Sequence, residues 1–459
     1  MPRLAFYGDD FTGSTDALEV LALAGLRCAL FLKVPDAAML REAGPLDAIG
    51  VAGASRAMSP AEMDAQLAPL LGEMAQLGAT VVHYKVCSTF DSSAAIGSIG
   101  RVMALSRAAF GDVAIPVVAA TPALGRYAVF GQLFARSGTD GRVHRIDRHP
   151  IMSVHPVTPM HEADLARHLG AQTAMRFEHF TLPLFELDAA AREAELRRLA
   201  DAAHGGALLF DGSTAAQLTE TGRLLESLAQ ARGRPLFCVG GSGVEYALTQ
   251  WWREAGTLPA DATVHDRFEA VPQVLAVSGS ASPLSALQID AALAAGFADL
   301  PVDAAALVAD ADAELERLAR EALRSLRAGR SVMLHSARGP QDARIEAMLA
   351  ALAAQGVGRD RARHEGGRRL GQRLGDLVDT LLRAHPLQRL VVSGGDTASA
   401  VTQRLAPDAL RVQARLAAGA PLCRAVSREP HLTRLELALK GGQMGQADYF
   451  VRALRGTAA

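Results

Sequence analysis

Along the chain, short apolar runs alternate with turns rich in Gly, Ser and Asp, and each turn leads into a segment whose apolar positions recur at helical spacing. That order predicts an α/β protein, with largely parallel sheets flanked by helices. Its first instance is a strand at 3–7, a turn at 8–13, a helix at 14–24 that buries Ala17, Leu18 and Leu21, and a second strand at 28–32. Further strands are expected at 47–51, 80–86, 115–120, 207–210 and 235–239, then at 274–277, 332–335 and 390–392. The stretch 303–327 has the spacing of one amphipathic helix. Between 255 and 270 the pattern lapses into polar, irregular text with Gly256, Pro259 and Asp261. We therefore divide the chain into two α/β domains, 1–254 and 271–459, with a connection at 255–270 and an active site expected in the cleft between them.

Charge narrows the partners. The 459 residues hold 47 Lys plus Arg against 49 Asp plus Glu, a net charge of -2, which lacks the basic excess of a nucleic-acid platform. No apolar run approaches the length of a membrane span, and acidic Asp9 and Asp10 interrupt the start where an export signal needs its apolar core. The four cysteines lie far apart, with no metal-knuckle or disulfide spacing. A cytoplasmic protein acting on small molecules is expected, with no nucleic-acid or membrane partner; a homodimer is compatible with the sequence.

In an open α/β sheet, ligands gather at the carboxyl ends of strands, where helix N-termini present free N–H groups. Five such turns carry unusual chemistry. Ser278–Ser282, Ser393–Thr397 and Lys440–Gly445 combine glycine with hydroxyls, which lets backbone N–H groups approach phosphates. None is a Walker loop or a dinucleotide fingerprint. Together they favour a nucleotide in the second domain, with Ser280, Ser282, Gly394, Gly395, Asp396, Thr397, Lys440, Gly441, Gly442 and Gly445 as candidates.

The two earlier turns differ in kind. Asp9 and Asp10, followed by Thr12, are adjacent carboxylates that can accept a hydroxyl proton, hold a metal or cap a helix; a cap explains only one of them. Lys85 ends an apolar run beside Ser88, Thr89 and Asp91, a mixture suited to a polyhydroxy acid. A loop-like stretch at 121–162 adds Arg126, Arg145, Asp147, Arg148, His149 and His155. Its histidines lack zinc spacing, so no metal ligand is assigned, and Arg126 and His155 are read as carboxylate or phosphate contacts. The arginines at 359–373 alternate with acids and read as a solvated face.

With those residues in view, the whole chain resembles the four-carbon acid sugar kinase family. The resemblance rests on Asp9–Gly13, Tyr84–Ser92, Pro122–Arg126, His155–Met160, Gly240–Gly243, Ser278–Ser280, Gly394–Thr397 and Lys440–Gly445. It implies a first domain that holds a sugar acid and a second that holds ATP, with Mg²⁺ and transfer of phosphate to a terminal hydroxyl. On the same resemblance Ser282, Gly394–Thr397 and Gly442 contact nucleotide, while Asp9, Asp10, Lys85, Ser88, Thr89, Asp91 and Arg126 line the acid site. Catalysis is assigned to Asp10, Asp9 and Lys85. Many threonate and erythronate kinases of the family read Asp-Ser-Thr-Leu-Arg-Gly where this chain reads Cys87-Ser88-Thr89-Phe90-Asp91-Ser92. The missing arginine points toward the branch that acts on 3-oxo-tetronates or on 3-oxo-isoapionate.

Overall fold

The computed structural model describes residues 1–138, 140–155, 158–259 and 267–457. These form two compact units, Met1–Ala29 with Lys33–Thr263 and Leu30–Leu32 with Val264–Ala459. Part of the expected connection at 255–270 lies outside the described residues, as do Pro156 and Val157.

Up to residue 240 the strands are β1 (Leu4–Gly8), β2 (Cys28–Phe31), β3 (Ala48–Ala52), β4 (Val81–Lys85), β5 (Ile115–Val118), β6 (Arg126–Val129), β7 (Gln132–Arg136), β8 (Val143–Arg145), β9 (Phe177–Phe180), β10 (Ala207–Phe210) and β11 (Leu236–Gly240). The main sheet of the first unit runs β3-β1-β4-β11-β5-β10-β9, with every pair parallel. Strands β1, β4 and β11 are buried at every position, because helices cover both faces of a parallel sheet. Their register sets Gly8 and Gly240 level with Lys85, and Gly8 level with Ala52. Four chain segments therefore leave the sheet at one edge, carrying Asp9–Asp10, Arg56, Lys85–Asp91 and Gly241–Gly243.

The second unit adds β12 (Leu275–Ser278), β13 (Ala298–Pro301), β14 (Val332–His335), β15 (Arg389–Ser393), β16 (Ala409–Ala417), β17 (Ala420–Val426) and β18 (Glu436–Lys440). The order β13-β14-β12-β15-β18 is parallel, and β17 and β16 then continue it antiparallel. Ser278, Ser393 and Lys440 stand level, so the three glycine turns start from one edge.

The α/β class is as expected, and three local readings are corrected. The stretch 121–162 is not simply loop: β6, β7 and β8 form a small antiparallel sheet. Strands of three to five residues, cut by Gly131 at a φ of 74°, are too short to show an alternation. The helix at 303–327 is two, Ala304–Val308 and Asp312–Arg327, broken where Asp310 takes a φ of 59°. The antiparallel pair β16 and β17 went unpredicted: Arg411, Gln413 and Arg415 interrupt the apolar positions of β16, and Pro421 and Arg424 those of β17. The arginine group lies on the helix Arg359–Ala384, where Arg368 and Arg369 both hold Glu365 and lower its carboxyl to about 2.

Candidate active site

β1 gives way at once to the helix Phe11–Leu23, so its two following carboxylates find separate uses. Asp10 is the N-cap: Oδ1 accepts from the Gly13 N–H at 2.8 Å and Oδ2 from the Thr12 hydroxyl at 2.9 Å. Asp9 faces Arg56, which donates from Nε at 3.1 Å and from Nη2 at 2.9 Å. The third guanidinium nitrogen of Arg56 lies 3.0 Å from Asp10 Oδ2, so one cation holds both carboxylates. Its own backbone is tied to the Asp9 carbonyl at 3.0 Å.

The environments of this pair diverge. Burial pushes the Asp9 carboxyl up, and the Arg56 charge offsets only part of that. Burial acts on Asp10 in the same direction, but Arg56, Lys85, Thr12 and Gly13 together outweigh it and hold Asp10 below the usual carboxylate range. Burial opposes the Arg56 charge as well, yet Asp10 and Asp9 lift its pKa well above the ordinary value.

Lys85 enters from β4. A Cβ at Gly13 would stand 2.5 Å from Lys85 Nζ, so the first helical turn backs directly onto the ammonium. Asp16 Oδ2 lies 3.9 Å away, and Asp16, Asp10 and Asp9 raise the Lys85 pKa against its burial. Beyond it, the Cys87 thiol meets the Thr89 hydroxyl at 2.9 Å, and that hydroxyl donates to Asp91 Oδ1 at 2.6 Å. Thr158 donates to Asp91 Oδ2 at 3.3 Å, and its N–H donates to His155 Nδ1 at 3.1 Å. Phe90, at a φ of 55°, makes the bend that turns Thr89 and Asp91 toward each other. Arg126 donates to the Leu124 carbonyl at 2.7 Å, but its Nε is buried without a partner among the described residues. Burial lowers the Arg126 pKa, and Cys87 is the charge-bearing group that opposes it.

The arrangement gathers three basic side chains, Arg56, Lys85 and Arg126, around hydroxyls and carboxylates. It is equipped to bind a small anionic polyol and to draw a proton from one of its hydroxyls.

In the second unit the three turns interlock too tightly for side chains. A Cβ at Gly279 would stand 1.9 Å from Thr397 Oγ1, and one at Gly442 would stand 2.3 Å from Ser280 Oγ. Ser282 caps the helix Pro283–Ala294 and donates to the Gly442 carbonyl at 2.6 Å. Gly394, at a φ of 110°, opens the helix Gly395–Leu405, which has no side-chain cap and carries exposed Asp396 in its first turn. Gly441 and Gly445 lie in the turn after β18. Lys440 is fully buried, donates to the Gly441 carbonyl at 3.0 Å and sits 5.7 Å from the centre of the Tyr449 ring. No carboxylate pairs with it among the described residues, and burial brings its amine down to about 7. The uncapped start of the helix Gly395–Leu405, the Ser280, Ser282 and Thr397 hydroxyls and the buried Lys440 amine lie at these turns, an arrangement able to take an anion.

Comparison with known proteins agrees with that division of labour. Residues 4–248 match the family model described as the sugar-binding N-terminal domain, and residues 275–450 match the nucleotide-binding C-terminal domain. The chain belongs to the four-carbon acid sugar kinase family. A 3-oxo-isoapionate kinase of Paraburkholderia graminis is 43% identical over 97% of this chain and 93% of its own. A 3-oxo-tetronate kinase of Cupriavidus necator is 33% identical over 99% and 97%. Among solved structures, a Salmonella typhimurium LT2 protein superposes with a TM-score of 0.75 at 25% identity, covering 99% of both chains. A Haemophilus influenzae protein of the DUF1537 family shares the fold at a TM-score of 0.70, 22% identity and 98% coverage of both. ATP and a sugar acid are the substrates that kinases of this family imply.

Among the described residues no helix is long and apolar enough to cross a membrane. Asp9, Asp10, Thr12 and Lys85 form one cluster; Thr89, Asp91 and His155 form a second through Thr158, and Cys87 faces Lys85, Arg56 and Arg126 across both. Sequence reasoning missed Arg56 and Asp16. Arg56 was accessible by the criterion already in use, since it follows the apolar run of β3 in a post-strand turn, but Ala54-Ser55-Arg56 has no glycine-rich signature.

Proposed function

We propose that this protein is an ATP-dependent kinase that phosphorylates the terminal hydroxyl of a 3-oxo sugar acid. The observation that carries the nucleotide half is Lys440, a fully buried amine among three glycine turns with no carboxylate to balance it among the described residues. The acceptor half rests on the Asp9–Asp10–Arg56–Lys85 cluster, where burial raises one carboxyl and partners lower its neighbour. Such splitting assigns roles. Asp10 stays charged and holds the helix and Thr12 in place. Asp9, the more basic of the two, accepts the hydroxyl proton as that oxygen bonds to the γ-phosphorus and the bond to the β-phosphate oxygen breaks, releasing ADP. Lys85 and Arg126 hold the acid and the charge on the transferring group.

The donors near the glycine turns suit Mg²⁺, being oxygens only: the Asp396 carboxylate with the Thr397 and Ser280 hydroxyls. The Mg²⁺ of this reading arrives with the nucleotide. When bound, Mg²⁺ would neutralise the phosphate oxygens. In this reading the enzyme works in the cytoplasm with ATP and the sugar acid as its small-molecule partners. The higher identity to the 3-oxo-isoapionate kinase favours that branched acid over 3-oxo-tetronate.

The test is Asp9→Asn and Asp10→Asn. Loss of an essential base lowers turnover roughly 10² to 10⁴-fold, while the nucleotide affinity, measured by calorimetry, stays near wild type. If both variants keep full turnover, the assignment is wrong.

A further inference from the structure

The turn between β11 and the helix Gly243–Glu254 has no role in the account so far, although it leaves the sheet beside Lys85. This helix of 12 residues starts at Ser242 with no side-chain cap. Its first N–H groups meet a wall made by Ser88 and Thr121. A Cβ at Gly241 would lie 3.1 Å from Ser88 Cα, and one at Gly243 would lie 2.8 Å from Thr121 Oγ1 and 2.0 Å from the Ala120 carbonyl. Both glycines keep these surfaces in contact.

Thr121 is 0% exposed, and its hydroxyl has no hydrogen-bond partner among the described residues. Ser242 is buried too, and its hydroxyl faces the Asp16 carboxylate without closing a bond to it. Leaving a buried hydroxyl unsatisfied costs stability, and folded proteins keep such groups where a ligand completes them. Of the two carboxylates that flank the turn, Glu245 is held through Oε1 by His83 Nδ1 at 2.7 Å, its Oε2 being buried without a partner among the described residues, and Asp16 lies 3.9 Å from Lys85. The helix start has no side-chain cap, and its dipole together with the unpartnered Thr121 hydroxyl favours an incoming anion.

We propose that the carboxylate of the sugar acid is seated at this turn, on the opening N–H groups of the helix with the Thr121 and Ser88 hydroxyls as side-chain donors. Thr121 is then a specificity-determining residue that selects acids over uncharged sugars. The inference rests on the sugar-acid kinase reading and adds where the acid's charged end goes.

The experiment uses the full chain with Thr121→Val, Thr121→Ser and Ser88→Ala. ADP release is followed with the better of 3-oxo-tetronate and 3-oxo-isoapionate, and inhibition is measured with L-threonate and with uncharged L-threonamide. A hydrogen bond to a charged group predicts that Thr121→Val raises the acid KM about tenfold or more and weakens L-threonate by a similar factor while leaving L-threonamide unchanged. Thr121→Ser restores both to within about threefold. Without ligand, Thr121→Val melts no lower than wild type, because it removes an unsatisfied hydroxyl. If that variant fails to fold, Ser88→Ala, which removes the second proposed donor, carries the same comparison. Wild-type KM and inhibition in the variants, or equal loss of both inhibitors, overturns the inference alone. A wild-type enzyme that turns over no sugar acid overturns the kinase reading, and this inference with it.

Discussion

One guanidinium, that of Arg56, bonds both carboxylates that follow β1, and its loss would leave a buried negative pair without compensation. Arg56 lowers the pKa of Asp9 and of Asp10, so each carboxylate without it ionises only at higher pH. The form of the enzyme that needs them charged is accordingly lost earlier on acidification. In Arg56→Ala the acid limb of kcat/KM should move up by about one pH unit or more, with a fall in its plateau. Arg56→Lys should recover part of the shift, since an ammonium cannot reproduce the bidentate geometry. An acid limb that stays in place would show that Arg56 does not set the charge of the pair.

At the scale of elements, the glycine turns and Lys440 act as one device. Burial brings the Lys440 amine down to about 7, whereas in the unfolded chain it titrates at its ordinary value. From about pH 7 upward to that ordinary value the unfolded state holds more protons, so the free protein gains stability as pH rises through the window. On the proposed reading bound phosphates restore the charge, so nucleotide binding at pH 8 should take up protons. Calorimetry in buffers of different ionisation enthalpy measures the uptake, and Lys440→Met should abolish it and weaken the nucleotide; buffer-independent heats would contradict this. Gly279→Ala forces a Cβ to within 1.9 Å of Thr397 Oγ1 and should remove nucleotide binding while leaving sugar-acid binding. These elements were the legible part of the sequence, because apolar runs that end in loaded turns mark strand ends whatever the rest of the fold does. β10 and β14 occupy the residues the pattern marks. What stayed hidden was the short strands β6 to β9 and β13, the β16–β17 pair with its interrupting arginines, and Arg56, whose partners lie about 47 positions away in sequence and meet it through strand register.

For the whole molecule, the two family domains at 4–248 and 275–450 assign acid and nucleotide to separate parts of the chain, and each part carries the matching chemistry by itself. Residues 87–92 lack the arginine of many threonate and erythronate kinases, and a relative that is 43% identical over 97% of the chain is a 3-oxo-isoapionate kinase. The most direct test of the central claim is ADP release from ATP with Mg²⁺ across D- and L-threonate, D-erythronate, 3-oxo-tetronate and 3-oxo-isoapionate. The account predicts turnover that depends on the added acid, with the 3-oxo acids above the reduced ones and 3-oxo-isoapionate first. No ADP above background with any of these acids, together with no thermal stabilisation by ATP, would contradict it.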